Sequence, residues 1–250
     1  MILKILVIVL SYLMGSLCTA VIVSRIFSLP DPRTLGSKNP GATNVLRLAG
    51  KQYAIIVLLG DMLKGLLPVL FVKFMHGGPL LLGFTALAAV MGHMYPVFFD
   101  FKGGKGVATA LGACLGVNFI FGVVVLSTWL LVANFTRYSS LASLTATGLA
   151  PFFALVLPNG SILFLPLLIL AVFILYKHRE NASRLINGTE HKISLKHHSL
   201  EDEIEATLEE QAQEEQKSAI KESIQPEVDL QDETQVPDSP PIEKRPDEKG

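Results

Sequence analysis

The sequence predicts an all-α, polytopic integral membrane protein of about seven transmembrane helices, with the N-terminus outside and the C-terminus in the cytoplasm. Three observations carry this. Half of the 250 residues are hydrophobic, and the mean hydropathy is +0.46. Only 17% are charged, against about 25% in an ordinary globular domain. Apolar runs, several of them long enough for the about 20 residues that a membrane helix needs, alternate with short basic loops. The net charge of −1 hides a division: residues 201–250 hold 17 of the 22 acidic residues but 5 of the 21 basic ones. A basic, apolar body (1–195) therefore precedes an acidic tail (196–250). The tail is too polar to bury a core of its own and is expected to be largely disordered. This composition excludes a soluble enzyme, a collagen-like or repeat array, and a wholly disordered chain.

The first apolar run, 2–27, is interrupted only by Lys4 and Arg25. It is too long for the apolar region of a signal peptide and reads as one membrane helix. Residues 28–51 are polar, rich in Pro, Gly and Asn, and basic apart from Asp31. A second span covers 52–74, with Asp61 and Lys64 inside it. His76-Gly77-Gly78 makes a turn, a third span covers 79–99, and a short glycine-rich loop covers 100–106. Residues 107–135 carry no charge. One helix of that length would be about 43 Å, longer than the ~30 Å hydrocarbon core. It is either one tilted helix or two short spans turning near Asn118. Residues 141–176 contain Pro158-Asn159-Gly160 and read as two spans.

Orientation follows from the basic loops. Arg25, Arg33, Lys38, Arg47 and Lys51 flank the first, Lys102 and Lys105 lie in the second, and Lys177, Arg179, Arg184 and Lys192 follow the last span. The opposite loops offer Lys4 and Lys73. An odd number of spans is required. Seven, unlike five, also places Arg137 on the basic side. In the tail, Leu200, Ile204 and Leu208 recur at helical spacing. Cys18 and Cys114 are isolated in apolar runs and form neither a disulfide framework nor a metal site. No metal, cofactor or nucleic-acid partner is expected.

Three polar clusters on the basic side carry the chemistry. The most specific is Phe101-Lys102-Gly103-Gly104-Lys105-Gly106. Glycines let the backbone approach a ligand, and successive N–H groups, two lysines and a following helix N-terminus suit an anion. The spacing is not that of a Walker A loop. A loop that merely obeys the orientation rule is the plainer reading, and the glycine density and the other clusters weigh against it.

The second cluster, Leu35 through Arg47, gathers hydroxyls, amides, glycines and an arginine, which suit a phosphorylated or polyhydroxylated ligand. Turn formers with Thr43 or Asn44 as a helix cap would explain it equally well. The third begins at Tyr176 and ends at Glu190. On a helix, His178, Asn181 and Arg184 fall on one face; a basic juxtamembrane end that binds anionic lipid is the alternative. Ser139, Ser140 and Ser143 beside Arg137 can cap a helix or bind phosphate. Asp61 and Lys64 read as a structural ion pair, His93 as a supporting residue, and Ala108, Gly112 and Gly116 as a close-packing stripe. His197 and Asp202 match an acyltransferase H-x-x-x-x-D pattern by chance.

In order and on one face, the clusters resemble the bacterial glycerol-3-phosphate acyltransferase family called PlsY. The resemblance covers roughly residues 1–192. It rests on Gly36-Ser37-Lys38-Asn39-Pro40-Gly41-Ala42-Thr43-Asn44 with Arg47, on Gly92-His93 through Gly106, and on His178-Arg179-Glu180-Asn181 with Arg184-Leu185 and Gly188-Thr189-Glu190. It implies a seven-helix enzyme of the bacterial inner membrane, with its active site facing the cytoplasm. That enzyme moves a fatty acyl group from acyl phosphate to the 1-hydroxyl of glycerol 3-phosphate, giving lysophosphatidic acid and phosphate, the first step of phospholipid synthesis. The soluble phosphate acyltransferase that makes acyl phosphate is a further implied partner. Under this resemblance, Lys105, Ser37 and Asn39 are the catalytic candidates. Lys102, Gly103, Gly104 and Gly106 would hold the acyl phosphate, and Arg47, Ser143, His178 and Asn181 the glycerol phosphate. The tail departs from the compact family pattern. A transporter for a phosphorylated metabolite and a membrane anchor with a protein-binding tail are the rival readings; the first would need a second polar ring near the midplane.

Overall fold

Apolar runs set the helices of this chain, and proline, glycine, serine and asparagine end them. In the computed structural model, residues 1–193 and the isolated Gln216 are described. The acidic tail, with Leu200, Ile204, Leu208 and the His197–Asp202 pair, otherwise lies outside the described residues. The described residues form α1 (Ile2–Gly15), α2 (Thr19–Ile26), α3 (Ala42–Ala49), α4 (Lys51–Phe74), α5 (Pro79–Met94), a 3-10 turn (Val97–Phe99), α6 (Val107–Val117), α7 (Phe119–Thr136), α8 (Ser139–Ala154), α9 (Gly160–Lys177) and α10 (Arg179–Ile186), with no strand among them.

Four of these stretches are long and apolar enough to cross a membrane: α4, α5 with its 3-10 turn, α7 and α9. The first apolar run, expected as one helix, is instead broken at residues 16–18, where α1 and α2 meet at 43°. Ser16 Oγ donates to Tyr12 O at 2.8 Å, and Lys64 Nζ reaches the freed Leu17 carbonyl at 2.7 Å. A backbone carbonyl left open in hydrocarbon costs several kcal/mol, of order the whole worth of a hydrogen bond, so such breaks need side-chain partners.

The turn expected near Asn118 is there. Asn118 caps α7 by accepting the Phe121 N–H at 3.0 Å, and Lys73 Nζ donates to Val117 O at 3.0 Å, at the end of α6. The second long run breaks at residues 155–159, ahead of Gly160. At 11 and 16 residues, α6 and α8 are only about 16 and 24 Å long.

Helix α4 turns the usual soluble pattern outward. Leu59, Leu63, Leu67 and Phe71 recur every four residues and are exposed, while Val57, Asp61, Lys64, Gly65 and Val69 are buried. A ridge of leucines outside and charges inside suits a helix whose solvent is lipid. Glycines bring the helices close. A Cβ on Gly65 would lie 2.0 Å from Thr109 O and one on Gly112 2.0 Å from Met62 O, so α4 and α6 touch backbone to backbone. Gly15 and Gly92 do the same for α1 and α5. Of the expected stripe, Gly112 and Gly116 face α4; Ala108 is half-buried. The main core joins Val69, Cys114, Phe121, Ala146, Ala150 and Leu167 from α4, α6, α7, α8 and α9.

Candidate active site

The helix pairs α4–α5, α6–α7 and α8–α9 each return the chain to the end of the bundle that carries the three polar clusters. The connection from α2 to α3 is organised by one side chain. Asn44 Oδ1 accepts the Ser37 N–H at 3.0 Å, and its Nδ2 donates to Pro32 O at 3.0 Å and Leu35 O at 3.1 Å. Neither Thr43 nor Asn44 caps α3, which starts at Ala42 behind Gly41; the short amide of Asn44 is spent on the loop. Gly36 sits at φ +58°, and a Cβ there would lie 2.4 Å from Asn44 Oδ1. This loop holds Ser37, exposed, and Asn39, half-buried. Thr43 Oγ1 lies 3.4 Å from Ser139 Oγ, tying α3 to the start of α8.

The glycine loop follows Tyr95-Pro96, where the proline stops α5. Asp100, Phe101 and Gly106 adopt positive φ. The loop lies on α5: Gly104 N–H donates to His93 O at 3.1 Å. A Cβ on Gly103 would meet His93 O at 2.0 Å, one on Gly104 His93 Nε2 at 2.1 Å, and one on Gly106 Met94 Cε at 2.6 Å. The glycines are therefore required by contact with the helix behind them. Gly104 contributes shape, since its N–H is engaged. Lys102 is exposed, whereas Lys105 is half-buried.

Lys105 Nζ donates to Asn181 Oδ1. Asn181 is buried on α10, and its Nδ2 donates to Glu190 Oε1 at 2.7 Å. Arg184 Nε holds Glu190 Oε2, also at 2.7 Å. Glu190 thus ties the segment after α10 back to the site. The Ile193 N–H continues the strap by donating to Arg137 O at 2.7 Å. His178, the residue between α9 and α10, is buried with Nδ1 2.8 Å from Ile174 O.

Burial lowers the Lys105 ammonium below the ordinary lysine range; nearby Arg184 and Arg47 push the same way, and Glu190 and Glu180 oppose them. Burial also lowers His178 to about 4, against the pull of the Ile174 carbonyl and with help from Lys105, so its ring is neutral at pH 7. Burial would raise the Glu190 carboxyl, but Ser140, Asn181 and Arg184 around it outweigh that and hold it below its ordinary value.

Of the predicted residues, Lys105, His178 and Asn181 come together, with Arg47 within electrostatic reach of Lys105. Ser37, Asn39 and Lys102 sit on the two neighbouring loops. Ser143 is buried and already engaged: it accepts from Trp129 Nε1 at 3.1 Å and donates to Ser139 O at 2.7 Å. From sequence, Trp129 is not singled out, Asn44 reads as a helix cap and Glu190 as the end of the third cluster, neither of the last two with a role in the site. Glu190 had one signal: the body holds few acids, and this one lies among bases.

The model of the family described as glycerol-3-phosphate acyltransferase matches residues 5–188, a stretch that contains every site residue predicted from sequence and stops two residues short of Glu190. The chain belongs to the glycerol-3-phosphate acyltransferase family. Curated members similar to it include one from Legionella pneumophila (strain Philadelphia 1), 58% identical over 207 residues, 83% of this chain and 75% of that protein. One from Coxiella burnetii (strain RSA 493) is 49% identical over 188 residues, 75% of this chain and 97% of that protein. Both carry the name glycerol-3-phosphate acyltransferase. Two crystal structures of PlsY (YgiH), an integral membrane glycerol 3-phosphate acyltransferase, share the fold. The glycerol 3-phosphate form has a TM-score of 0.73 at 41% identity, covering 76% of this chain and 96% of that one. The lysophosphatidic acid form has a TM-score of 0.71 at 39% identity, covering 77% and 96%. This member of the acyltransferase family is accordingly an integral membrane protein, all-helical among its described residues, as expected.

Proposed function

We propose that this chain transfers a fatty acyl group from acyl phosphate to the 1-hydroxyl of sn-glycerol 3-phosphate, releasing lysophosphatidic acid and phosphate. One observation carries the reading. Lys105 is held against Asn181 with the charges of Arg184 and Arg47 close by. An apolar wall that begins at Val107, two residues after Lys105, runs among α6, α7, α8 and α9 and includes Leu111, Trp129, Ala150 and Leu170 with Thr147; the void it encloses is about 20 Å³, the size of a water. A basic centre next to apolar helices suits two phosphate-bearing substrates, one of which carries an acyl chain that packs between those helices. Glycerol 3-phosphate is the acceptor named for the relatives and for a crystallised neighbour.

In this reading Lys105, Lys102 and the loop of Gly103 and Gly106, shaped by Gly104, hold the acyl phosphate. Arg47, His178 and Asn181 hold the glycerol phosphate, with Ser143 bracing α7 against α8. Ser37 and Asn39 orient the reacting groups and stabilise the developing oxyanion. The glycerol oxygen attacks the acyl carbon, the bond from that carbon to the phosphate oxygen breaks, and the hydroxyl proton ends on the departing phosphate. No acyl-enzyme is needed; juxtaposition of the substrates supplies most of the acceleration. The same reading makes residues 1–195 the enzyme, with seven crossings in a bacterial inner membrane and the basic end in the cytoplasm. There a soluble phosphate acyltransferase would supply the donor.

The test is direct. Purified protein in detergent is given glycerol 3-phosphate with palmitoyl phosphate, palmitoyl-CoA or palmitoyl carrier protein, and lysophosphatidic acid is measured. Product from palmitoyl phosphate alone is the expected result. Product from another donor alone overturns the donor assignment. No product from any donor, with folded protein, overturns the enzyme reading and makes glycerol-phosphate transport in liposomes the next assay.

A further inference from the structure

Three titratable side chains meet in the interior of the helices, behind the glycine loop. Asp61 and Lys64 on α4 and His93 on α5 are 2%, 5% and 5% exposed. Asp61 Oδ1 is 2.8 Å from Lys64 Nζ and 3.5 Å from His93 Nδ1. Burying charges among apolar helices is costly, and apolar residues of similar volume would fill the space at lower cost. Each end of the cluster supports a piece of irregular backbone.

At one end, Lys64 Nζ donates to Leu17 O at the α1–α2 break. At the other, His93 lies beneath the glycine loop. Its carbonyl accepts the Gly104 N–H at 3.1 Å, and its Nε2 lies 2.1 Å from where a Gly104 Cβ would stand. The Asp61 carboxylate faces the Nδ1 edge of the ring, and Gly104 covers the Nε2 edge. At 3.5 Å the carboxylate faces that edge as a charge without a hydrogen bond, and the ring is the floor on which the loop rests.

We propose that Asp61 and His93 are positioning residues for the glycine loop, with Lys64 neutralising Asp61 and anchoring it to the broken first span. Neither side chain touches substrate; they act by holding Gly104, and through it the adjoining Lys105, in register with Asn181. The kinetic form of this inference rests on the acyl-phosphate reading above, because a loosened loop is felt at the phosphate it cradles.

Two variants of the full chain test it. Asp61→Asn/Lys64→Met removes both charges together, so no unpaired ion is left buried. His93→Asn keeps an amide near the Nδ1 position and empties the floor under Gly104. Steady-state rates give KM for each substrate, and amide hydrogen exchange follows residues 103–106. In both variants KM for palmitoyl phosphate is expected to rise about tenfold or more, with KM for glycerol 3-phosphate within about twofold, the size of effect that a small misplacement brings. Exchange at Gly104 speeds up. A role confined to folding would lower kcat through the fraction of active protein while leaving both KM values and Gly104 exchange at parental levels; that result overturns the proposal. Should the double variant fail to fold, His93→Asn decides alone. A KM rise confined to glycerol 3-phosphate would support the positioning role while reassigning the loop to the acceptor. A parent chain without turnover would sink the functional reading instead, and the exchange measurement would then decide the loop question by itself.

Discussion

Lys105 stands where two loops meet, its ammonium on Asn181 and like charges on either side. Lys105→Ala is expected to abolish acyl transfer, with a loss of about a hundredfold or more at preserved expression, since it removes the cation at the reacting phosphate. A near-normal rate would refute the site assignment. Because this lysine titrates below its ordinary range, kcat/KM falls on the alkaline side earlier than an unperturbed lysine would dictate. Glu190 favours the charged amine, so Glu190→Gln moves that limb to still lower pH, which a pH–rate profile checks.

On the acid side, stability changes. The His178 ring is neutral in the folded chain down to about 4, whereas an unfolded histidine binds its proton near 6.5. Its contribution, of order 3 kcal/mol at full size, is complete above that value and lost as pH falls toward 4. Glu190, held low, loses its contribution in the same direction as pH falls through its folded value. Thermal unfolding from pH 7 to 4 should therefore show a falling midpoint, flatter in His178→Asn. The sequence shows Lys105, His178 and Asn181 because functional polar groups stand out in short loops between apolar spans. It does not show that Ser143 is engaged by Trp129, or that the glycines answer to His93, because both are contacts between distant segments.

Helix boundaries were legible wherever a break needs a special residue. Asn118 and Pro158-Asn159-Gly160 mark the two interior breaks. The break at residues 16–18 was hidden, because what supports it is Lys64, a residue of another helix. The close pair α4–α6 gives the test at this level. Gly112→Ala pushes a Cβ to 2.0 Å from Met62 O, while at Gly148 nothing lies within 4 Å. Gly112→Ala is expected to lower the thermal midpoint in detergent by several degrees, the response to about 1–3 kcal/mol of overpacking. Gly148→Ala should leave it unchanged or raise it, because alanine is the better helix former. Equal midpoints for the two variants would mean that the backbones are not in contact.

For the molecule as a whole, the family match ends at residue 188, and the Coxiella burnetii relative is covered over 97% of its length by 188 aligned residues. A chain ending at residue 195 is therefore expected to retain the acyl-transfer rate of the full chain within about twofold, since the family match and the site residues lie before that point. A lost rate would assign the acidic tail a part in catalysis. The split into basic body and acidic tail was plain from charge alone. The gathering of three loops at one end followed from counting spans, because each helix pair brings the chain back.

The sequence contains one tryptophan, and it is Trp129, with its indole N–H on Ser143 and its ring in the wall of the apolar cavity. The tryptophan fluorescence of the protein consequently reports one place, next to the site. An acyl chain packing against that wall would change the surroundings of the indole and shift its emission, so donor binding can be followed by light, without label and before any product forms.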